Sequence, residues 1–361
     1  MPKQVRHDQG VILNSFQNPI SKFDSSHFLL QRMLKMKPIQ KISLQQIDLA
    51  DETFSVSFMA DLGRLRSSIE ALGLIQPVLL REKRDGYQIV SGFRRISVFH
   101  ELGNSEIESR LFEDRGADDF RLFSISLHEN LTTRGFNTVE KAIALEKLVR
   151  RFRIDPIVVV KTFLPLFSLE PNEKILNTYL SLALMEDEVK RYVLKEEVSR
   201  FNIRIFSTFT PEDRRALLSL ISSLKLGENH LREMLTLLEE ISRRDRCRVR
   251  EIIGRPEIGV ILSQRELTPS QRTERVRRAL MDFRFPTMRQ CEEKFEKRRK
   301  ELDLPPNVSL HHPPFFEGTG LKVEFQFKTV EEYQTILSFL SLLPEKKEFQ
   351  EMLEVRVEQR A

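Results

Sequence analysis

A chain of 361 residues, 40% of them hydrophobic, is long enough to bury the cores of two or three domains. No apolar run reaches the ~18–20 residues of a membrane-spanning helix. The two cysteines, Cys247 and Cys291, lack metal-ligand spacing, so we expect a cytoplasmic protein with reduced thiols. The net charge of +5 permits contact with nucleic acid without requiring it.

Residues 1–36 show no sustained periodicity, and we expect a disordered tail or a native start at Met33 or Met36. Residues 37–135 mix helical and strand patterns, which predicts an α/β domain. Gly73 and Gly103 end its two predicted helices, and Asp85-Gly86 marks a hairpin turn. Helices are predicted over 62–72 and 96–102, and strands over 39–47, 77–80, 87–90 and 107–112.

The pattern is helical from Val139 to about residue 300. Prolines mark its helix boundaries, as where Pro211 follows Thr210, a good N-cap. We divide this stretch into a helical domain over 136–242 and a basic segment over 243–304.

The double proline Pro305-Pro306 precedes a small C-terminal α/β unit over 305–361. Alternating apolar residues predict a strand over 321–327, and an amphipathic helix is predicted over 330–343. Pro313 and Pro314 predict a rigid loop from His311 to Pro314. A metal site is the weaker interpretation, because the spacing of His311, His312 and Glu317 matches no metal motif.

Two short motifs could carry chemistry. Gly92 lies between a strand and a helix, where backbone N–H groups and the guanidinium groups of Arg94 and Arg95 could hold phosphates. Glu129 and Asn130 stand just before the helical stretch and offer the oxygen ligands that Mg²⁺ prefers. Taken singly, each motif is equally compatible with a solvated face, a helix cap or a surface ion pair.

The order of the motifs resembles the N-terminal domain of ParB-family chromosome and plasmid partition proteins. The family pattern runs roughly S-I-x-x-x-G-x-x-Q-P, G-E-R-R, E-N-L-Q-R and L-N-P-x-E-E-A. The matching residues here are Ser68-Ile69, Gly73, Gln76-Pro77, Gly92, Arg94-Arg95, Glu129-Asn130-Leu131, Asn137 and Glu140.

This resemblance implies a fold of the α+β class. Its parts would be a ParB/sulfiredoxin-like α/β domain, a mostly helical middle with a degenerate helix-turn-helix, and the small C-terminal unit. It also implies a homodimeric, CTP-dependent clamp on DNA, associated with the nucleoid and working with a partition ATPase. CTP would be bound by Gln76, Gly92, Arg94, Arg95 and Asn130, and Mg²⁺ would be held by Glu129 and Asn130.

The motifs depart from the family pattern at two places. Phe93 stands where the family has a glutamate that could position an attacking water, so we expect a weak CTPase at most. Thr132 and Thr133 replace the usual Gln-Arg, and Arg134 follows one position late.

For DNA binding, the resemblance places the first helix of a helix-turn-helix over 156–164 and a recognition helix over 172–184, with Pro165 in the turn. Asn172, Lys174 and Asn177 would then contact DNA. Residues 243–300 hold 18 lysines and arginines against 9 aspartates and glutamates, a net +9 suited to phosphate backbones. The candidate arginines there are Arg243, Arg244, Arg246, Arg275 and Arg278.

Three functions remain open at this point. The first is a DNA-binding ParB-like protein with a CTP switch. The second is a transcriptional regulator on the same scaffold with no nucleotide cycle. Separately, the degenerate helix-turn-helix is as compatible with a packing module as with a DNA-reading element. The third is a nucleotide-dependent enzyme or nuclease, which lacks support because no carboxylate cluster accompanies Glu129.

Overall fold

The computed structural model describes residues 35–113, 117–316 and 320–355. These residues divide into two compact units, with the boundary between Glu197 and Val198. The predicted tail therefore lies outside the described residues up to residue 34, as does Glu317. Met36 forms a β-bridge with Phe112. Within the described residues no helix is long and apolar enough to cross a membrane.

The first unit is built on a five-stranded mixed sheet in the order β1-β5-β3-β4-β2. Strands β3 and β4 form the predicted hairpin, while β5 runs parallel to β3 and β2 runs parallel to β4. Apolar side chains from all five strands form the core, with Val78 and Leu80 fully buried. The strands are β1 Gln40–Ser43, β2 Ile47–Asp48, β3 Val78–Lys83, β4 Gly86–Ser91 and β5 Glu106–Leu111.

Helices cover this sheet and continue beyond it. The first three are α1 Gly63–Leu72, α2 Phe93–Glu101 and α3 Asp119–Thr133. They are followed by α4 Thr138–Glu146, which runs into a π-helical turn Lys147–Arg151, and later by α6 Glu173–Ala183 and α7 Asp187–Lys195. Between them, α5 consists of Pro156–Val158, a π-helical turn Val159–Phe163 and Leu164–Leu166.

Glu129 and Asn130 were predicted to stand just before a helix, and that prediction is wrong. Both residues lie in the last turns of α3, because Asp118 caps a helix that begins ten residues earlier and accepts from the backbone N–H of Arg121. The next helix, α4, starts at a capping box between Asn137 and Glu140.

The irregular segment 49–61 is fastened to the π-helical turn after α4. Lys147 donates to the backbone oxygens of Glu52 and Ser55 at 2.5 Å each, and Arg151 donates to the Thr53 hydroxyl at 2.6 Å. Burial lowers the pKa of Lys147 to about 8, and the charge of Arg151 lowers it as well. These bonds give the segment a fixed path although it lacks helix or strand.

The candidate helix-turn-helix is formed by α5 and α6, close to the predicted bounds. Pro165 lies inside the last helical turn of α5, so its placement in the connecting turn was wrong. The π-helical turn before it has a different hydrogen-bond pattern from an α-helix. Pro165 lies at the first positions of the α-helical turn that follows, where a helix tolerates proline.

The second unit is mainly helical, as predicted. Thr210 caps α9 (Pro211–Ser222) through the N–H of Asp213, with Pro211 at the first position. Helices α10 (Glu228–Asp245) and α13 (Pro269–Arg284) lie side by side. Two ion pairs join them, Glu233–Arg277 and Glu240–Arg284, and because the second pair lies seven residues after the first on both helices, the helices run in parallel. The helices are α8 Arg200–Thr208, α9 Pro211–Ser222, α10 Glu228–Asp245, α11 Val249–Ile253, α12 Pro256–Ser263, α13 Pro269–Arg284 and α14 Pro286–Glu301.

The chain ends in the small α/β unit. Strands β6 Val308–His311 and β7 Lys322–Phe325 pair antiparallel, and α15 Val330–Leu342 and α16 Lys347–Glu354 follow. His311 therefore belongs to a strand and not to the predicted loop. The buried side chains of Val308 and Leu310 alternate with exposed Ser309 and His311, which is the pattern of a half-buried strand.

Gly92, at the junction of β4 and α2, requires glycine for two reasons. Its φ is +104°, a conformation that other residues rarely adopt, and an added Cβ would lie 2.6 Å from Cγ1 of Val78. Gly103, after the end of α2, also has a positive φ of +73° but has open space around it.

We therefore expect Gly92→Ala to lower the free energy of unfolding by about 2–4 kcal/mol, from backbone strain and overpacking together. The matched change Gly103→Ala carries only the backbone strain, about 1–2 kcal/mol. Urea unfolding of both variants measures the difference. Equal losses would show that the contact with Val78 relaxes at no cost.

Candidate functional site

A cavity of about 230 Å³ opens between the start of α2 and the end of α3. Its third wall is the segment that Lys147 and Arg151 hold in place. All six residues that the sequence predicted for nucleotide and metal line this cavity. The lining residues are Phe54, Ser55, Val56, Ser57, Leu65, Gln76, Gly92, Phe93, Arg94, Arg95, Glu129, Asn130, Thr133 and Arg134.

Arg95 and Glu129 form an ion pair across the cavity, with 2.7 Å between Nη2 and Oε1. The other carboxylate oxygen of Glu129 accepts from the Ser91 hydroxyl at 2.5 Å. Arg95 also donates from Nη1 to the backbone oxygens of Gln76 and Pro77. These bonds join the end of β4, the start of α2, the end of α3 and the loop before β3.

Arg94 turns the other way, toward Glu140 on α4. Its Nη2 lies 2.5 Å from Oε1 of Glu140, and its Nε donates to the Ser57 hydroxyl at 3.0 Å. Burial lowers the pKa of Arg94, and the Glu140 carboxylate counters part of that effect. Arg94 stays charged, since the ordinary pKa of arginine lies far above neutrality.

Arg134 is a member of the site that was not predicted from the sequence. Its Nη1 lies 2.8 Å from Oε2 of Glu140, and its Nε donates to Oδ1 of Asn130 at 3.0 Å. The amide nitrogen of Asn130 donates to the backbone oxygen of Ser126 at 2.8 Å, which fixes the side-chain orientation. The signal was present in the sequence as an arginine displaced by one position, but its reach depends on where α3 ends.

The two helix ends that face the cavity have opposite polarity. The N-terminus of α2 carries partial positive charge and free N–H groups, which suits phosphate oxygens. The C-terminus of α3 carries partial negative charge, which suits a cation near Glu129 and Asn130. An anion and a cation bound together would each meet the favourable end.

The donor set fits Mg²⁺ only in company with phosphate. Among the described residues there is no group of three or more His, Cys, Asp or Glu side chains that could hold a metal. Glu129 and Asn130 supply two oxygens, and Mg²⁺ commonly takes one or two such protein ligands together with phosphate oxygens and water.

The candidate DNA-binding residues fall into two groups, one in each unit. Lys174 and Asn177 are exposed one turn apart on α6, and Asn172 caps that helix by accepting from the N–H of Lys174 at 2.8 Å. The structure thus gives Asn172 a capping role at the start of α6.

The arginines of the basic segment differ in their partners. Arg243 pairs with Glu239, and Arg244 pairs with Asp245 and donates to the backbone oxygens of Phe283 and Arg284. Arg275 donates to the neutral side chain of Gln264. Arg246 and Arg278 are exposed and form no ion pair with a described residue. Of the five candidate arginines, Arg246, Arg275 and Arg278 thus have no carboxylate of a described residue within ion-pair distance, although the charge of Arg278 still acts on Glu274 and Asp282.

Known proteins resemble this chain over part of its length. The family model of the ParB N-terminal domain matches residues 30–131. The chromosome-partitioning protein ParB of Myxococcus xanthus is 33% identical over 93 residues, which are 26% of this chain and 30% of that protein. The nucleoid occlusion protein of Bacillus cytotoxicus is 24% identical over 185 residues, 50% of this chain and 61% of that protein.

The matched segments thus span less than two thirds of either relative. The solved structure of C-terminally truncated Caulobacter crescentus ParB, complexed to the centromeric parS site, is 20% identical over 55% of this chain and 98% of that chain. Its TM-score of 0.33 is below the level at which a shared fold would be inferred. The family model covers the cavity residues from Phe54 to Asn130, and on that evidence residues 30–131 form a ParB N-terminal domain.

Proposed function

We propose that this protein binds DNA and takes up CTP with Mg²⁺ in the cavity between α2 and α3, as a clamp in chromosome or plasmid partition or in nucleoid occlusion. The observation that carries the nucleotide part is the cavity itself. It is lined both by Arg94 and Arg95 at a helix N-terminus and by Glu129 and Asn130 at a helix C-terminus.

Nucleotide entry requires an exchange of partners. Arg95 is bonded to Glu129 and Arg134 to Asn130, so the guanidinium groups and the candidate metal ligands satisfy one another. Phosphate oxygens would draw the arginines away and leave the oxygens of Glu129 and Asn130 for Mg²⁺. Nucleotide and metal should therefore bind together, and neither should bind well alone.

Hydrolysis has less support than binding. Phe93 is half-buried, packs against the core of the sheet and lines the cavity where a catalytic carboxylate would have to stand. An aromatic ring can neither accept a proton nor orient a water for attack. We infer a binder or switch with a weak CTPase activity at most.

One observation favours the regulator without a nucleotide cycle. The arginines of the cavity already have carboxylate partners in this chain, at 2.5–2.8 Å, so the network could serve as a structural ion-pair cluster. Titration with CTP separates the two functions, because a structural cluster would take up no nucleotide.

DNA is the proposed partner of both units. In the first unit, Lys174 and Asn177 present a donor and an amide on the exposed side of α6. In the second, Arg246, Arg275 and Arg278 offer charge for the phosphate backbone. A partition ATPase and association with the nucleoid follow from the family resemblance.

We expect wild-type protein to bind CTP with Mg²⁺ and Arg95→Met to weaken that binding at least tenfold, about 1.4 kcal/mol, because a charged donor is lost. Arg66→Met, which removes an exposed arginine paired with Glu70 on α1, is the matched control and should leave the affinity unchanged. Calorimetric titration gives both affinities, and Mg²⁺ added without CTP should give no heat of binding. No binding of CTP to the wild type would contradict the proposal.

For DNA, we expect the double variant Arg275→Gln/Arg278→Gln to bind duplex DNA more weakly. The slope of the logarithm of the association constant against the logarithm of the salt concentration should become less negative by about 2. Arg277→Gln/Arg284→Gln removes the same charge from the same helix, but these arginines pair with Glu233 and Glu240. Binding measured over a salt series should show a smaller change in the control. Equal effects would mean that only net charge matters.

A homodimer through the C-terminal unit is the third part of the proposal. Val330, Tyr333 and Leu337 form an exposed apolar stripe on α15, next to exposed Phe327. Leu337→Glu should shift the protein toward monomer in sedimentation equilibrium. Leu353→Glu on α16 is the control, since Leu353 is 39% exposed and Leu337 42%. A dimer unaffected by Leu337→Glu would place the interface elsewhere.

A further inference from the structure

Glu140 is the most enclosed charged group of the cavity region, with a side chain only 1% exposed. Its two oxygens accept from Nη2 of Arg94, Nη1 of Arg134 and the backbone N–H groups of Asn137 and Phe58, at 2.5, 2.8, 3.2 and 3.4 Å. Every neighbour is a donor, so only an ionised carboxylate satisfies all of them. An amide would place an N–H₂ group against donors.

The position of Arg134 follows from how α3 ends. The helix stops at Thr133, Arg134 leaves helical geometry, and Gly135 has a φ of +71°. The guanidinium group then folds back over the last turn of α3, over the ring of Phe136 and against Asn130 and Glu140. An arginine that falls one position late thereby reaches the cavity.

Arg94 and Arg134 each retain N–H groups that could bind a ligand. Within the described residues, Nη1 of Arg94 and Nη2 of Arg134 have no hydrogen-bond partner, although both side chains line the cavity. One carboxylate shared by two guanidinium groups leaves a net charge of +1 at this end. By contrast, the pair of Arg95 and Glu129 is neutral.

We propose that Arg134 is a further phosphate-binding residue and that Glu140 is the positioning residue that holds Arg134 and Arg94 for the terminal phosphates of the nucleotide. This inference rests on the proposed nucleotide function. Because Glu140 takes one side of each guanidinium group, the other side faces the cavity in a fixed direction. Two forks held in this way suit adjacent phosphate oxygens better than one flexible side chain does.

Full-length wild type, Arg134→Met, Glu140→Gln and the double variant are titrated with CTP, CDP and CMP, each with Mg²⁺, and with inorganic tripolyphosphate. Arg66→Met is the control, and circular dichroism checks the fold. Arg134 is the more informative site if Glu140→Gln unfolds, because the Arg134 side chain is 23% exposed.

We expect Arg134→Met to weaken CTP and tripolyphosphate at least tenfold and CMP less than about threefold. Glu140→Gln should weaken the binding of the same ligands to the same extent. The double variant should bind CTP no more weakly than the weaker-binding single variant. A uniform loss for all three nucleotides in Glu140→Gln would reduce that residue to a support of the fold. An unchanged ratio of CTP to CMP affinity in Arg134→Met would overturn the inference.

Failure of the proposed function can be told apart from failure of this inference. In one outcome, the wild type binds tripolyphosphate but not CTP, and Arg134→Met no longer binds tripolyphosphate. This result would contradict the nucleotide function but would support the phosphate-binding role of Arg134. Wild type that binds neither probe would contradict both.

Discussion

The cavity depends on one buried carboxylate. Removing a carboxylate from water costs several kcal/mol unless its oxygens are fully hydrogen-bonded. The donors that satisfy Glu140 come from three separate parts of the chain, namely α2 through Arg94, the wall segment through Phe58, and the turn before α4 through Arg134 and Asn137. Since all must lie within hydrogen-bond distance of the same two oxygens, the walls of the cavity are fixed relative to one another.

A second constraint acts across the cavity, where Arg95 is bonded to Glu129 and Arg134 is bonded to Asn130. The pair of Arg95 and Glu129 is short and only 13% and 15% exposed, so it loses little strength to screening by solvent. A ligand carrying both phosphate and Mg²⁺ would replace each partner by one of the same sign. The charges of Arg95 and Glu129 would remain compensated throughout, which a ligand of either sign alone could not achieve.

Local signals predicted the parts of the site that local chemistry determines. The hairpin turn, strands β3, β4 and β5 and the glycine at the start of α2 depend on neighbouring residues, and all were predicted from the sequence. Arg134 and Glu140 could not be assigned in the same way. Their roles depend on contacts between the end of α3, α4 and the irregular segment 49–61. These contacts join residues up to 82 positions apart in the sequence. The strand β6 was missed because four residues beside prolines give little periodicity.

The basic segment shows why a charge count along the sequence overstates the charge of a surface. The carboxylates that neutralise Arg243, Arg277 and Arg284 are Glu239, Glu233 and Glu240, which lie on α10 just before the segment begins. The parallel packing of α10 and α13 brings Arg277 and Arg284 to their partners, while Arg243 and Glu239 lie one turn apart on α10 itself. The net charge of +9 is therefore partly cancelled by residues outside the segment. What remains is local charge at a few arginines without carboxylate partners, and a phosphate backbone would be attracted to those positions and not to the segment as a whole.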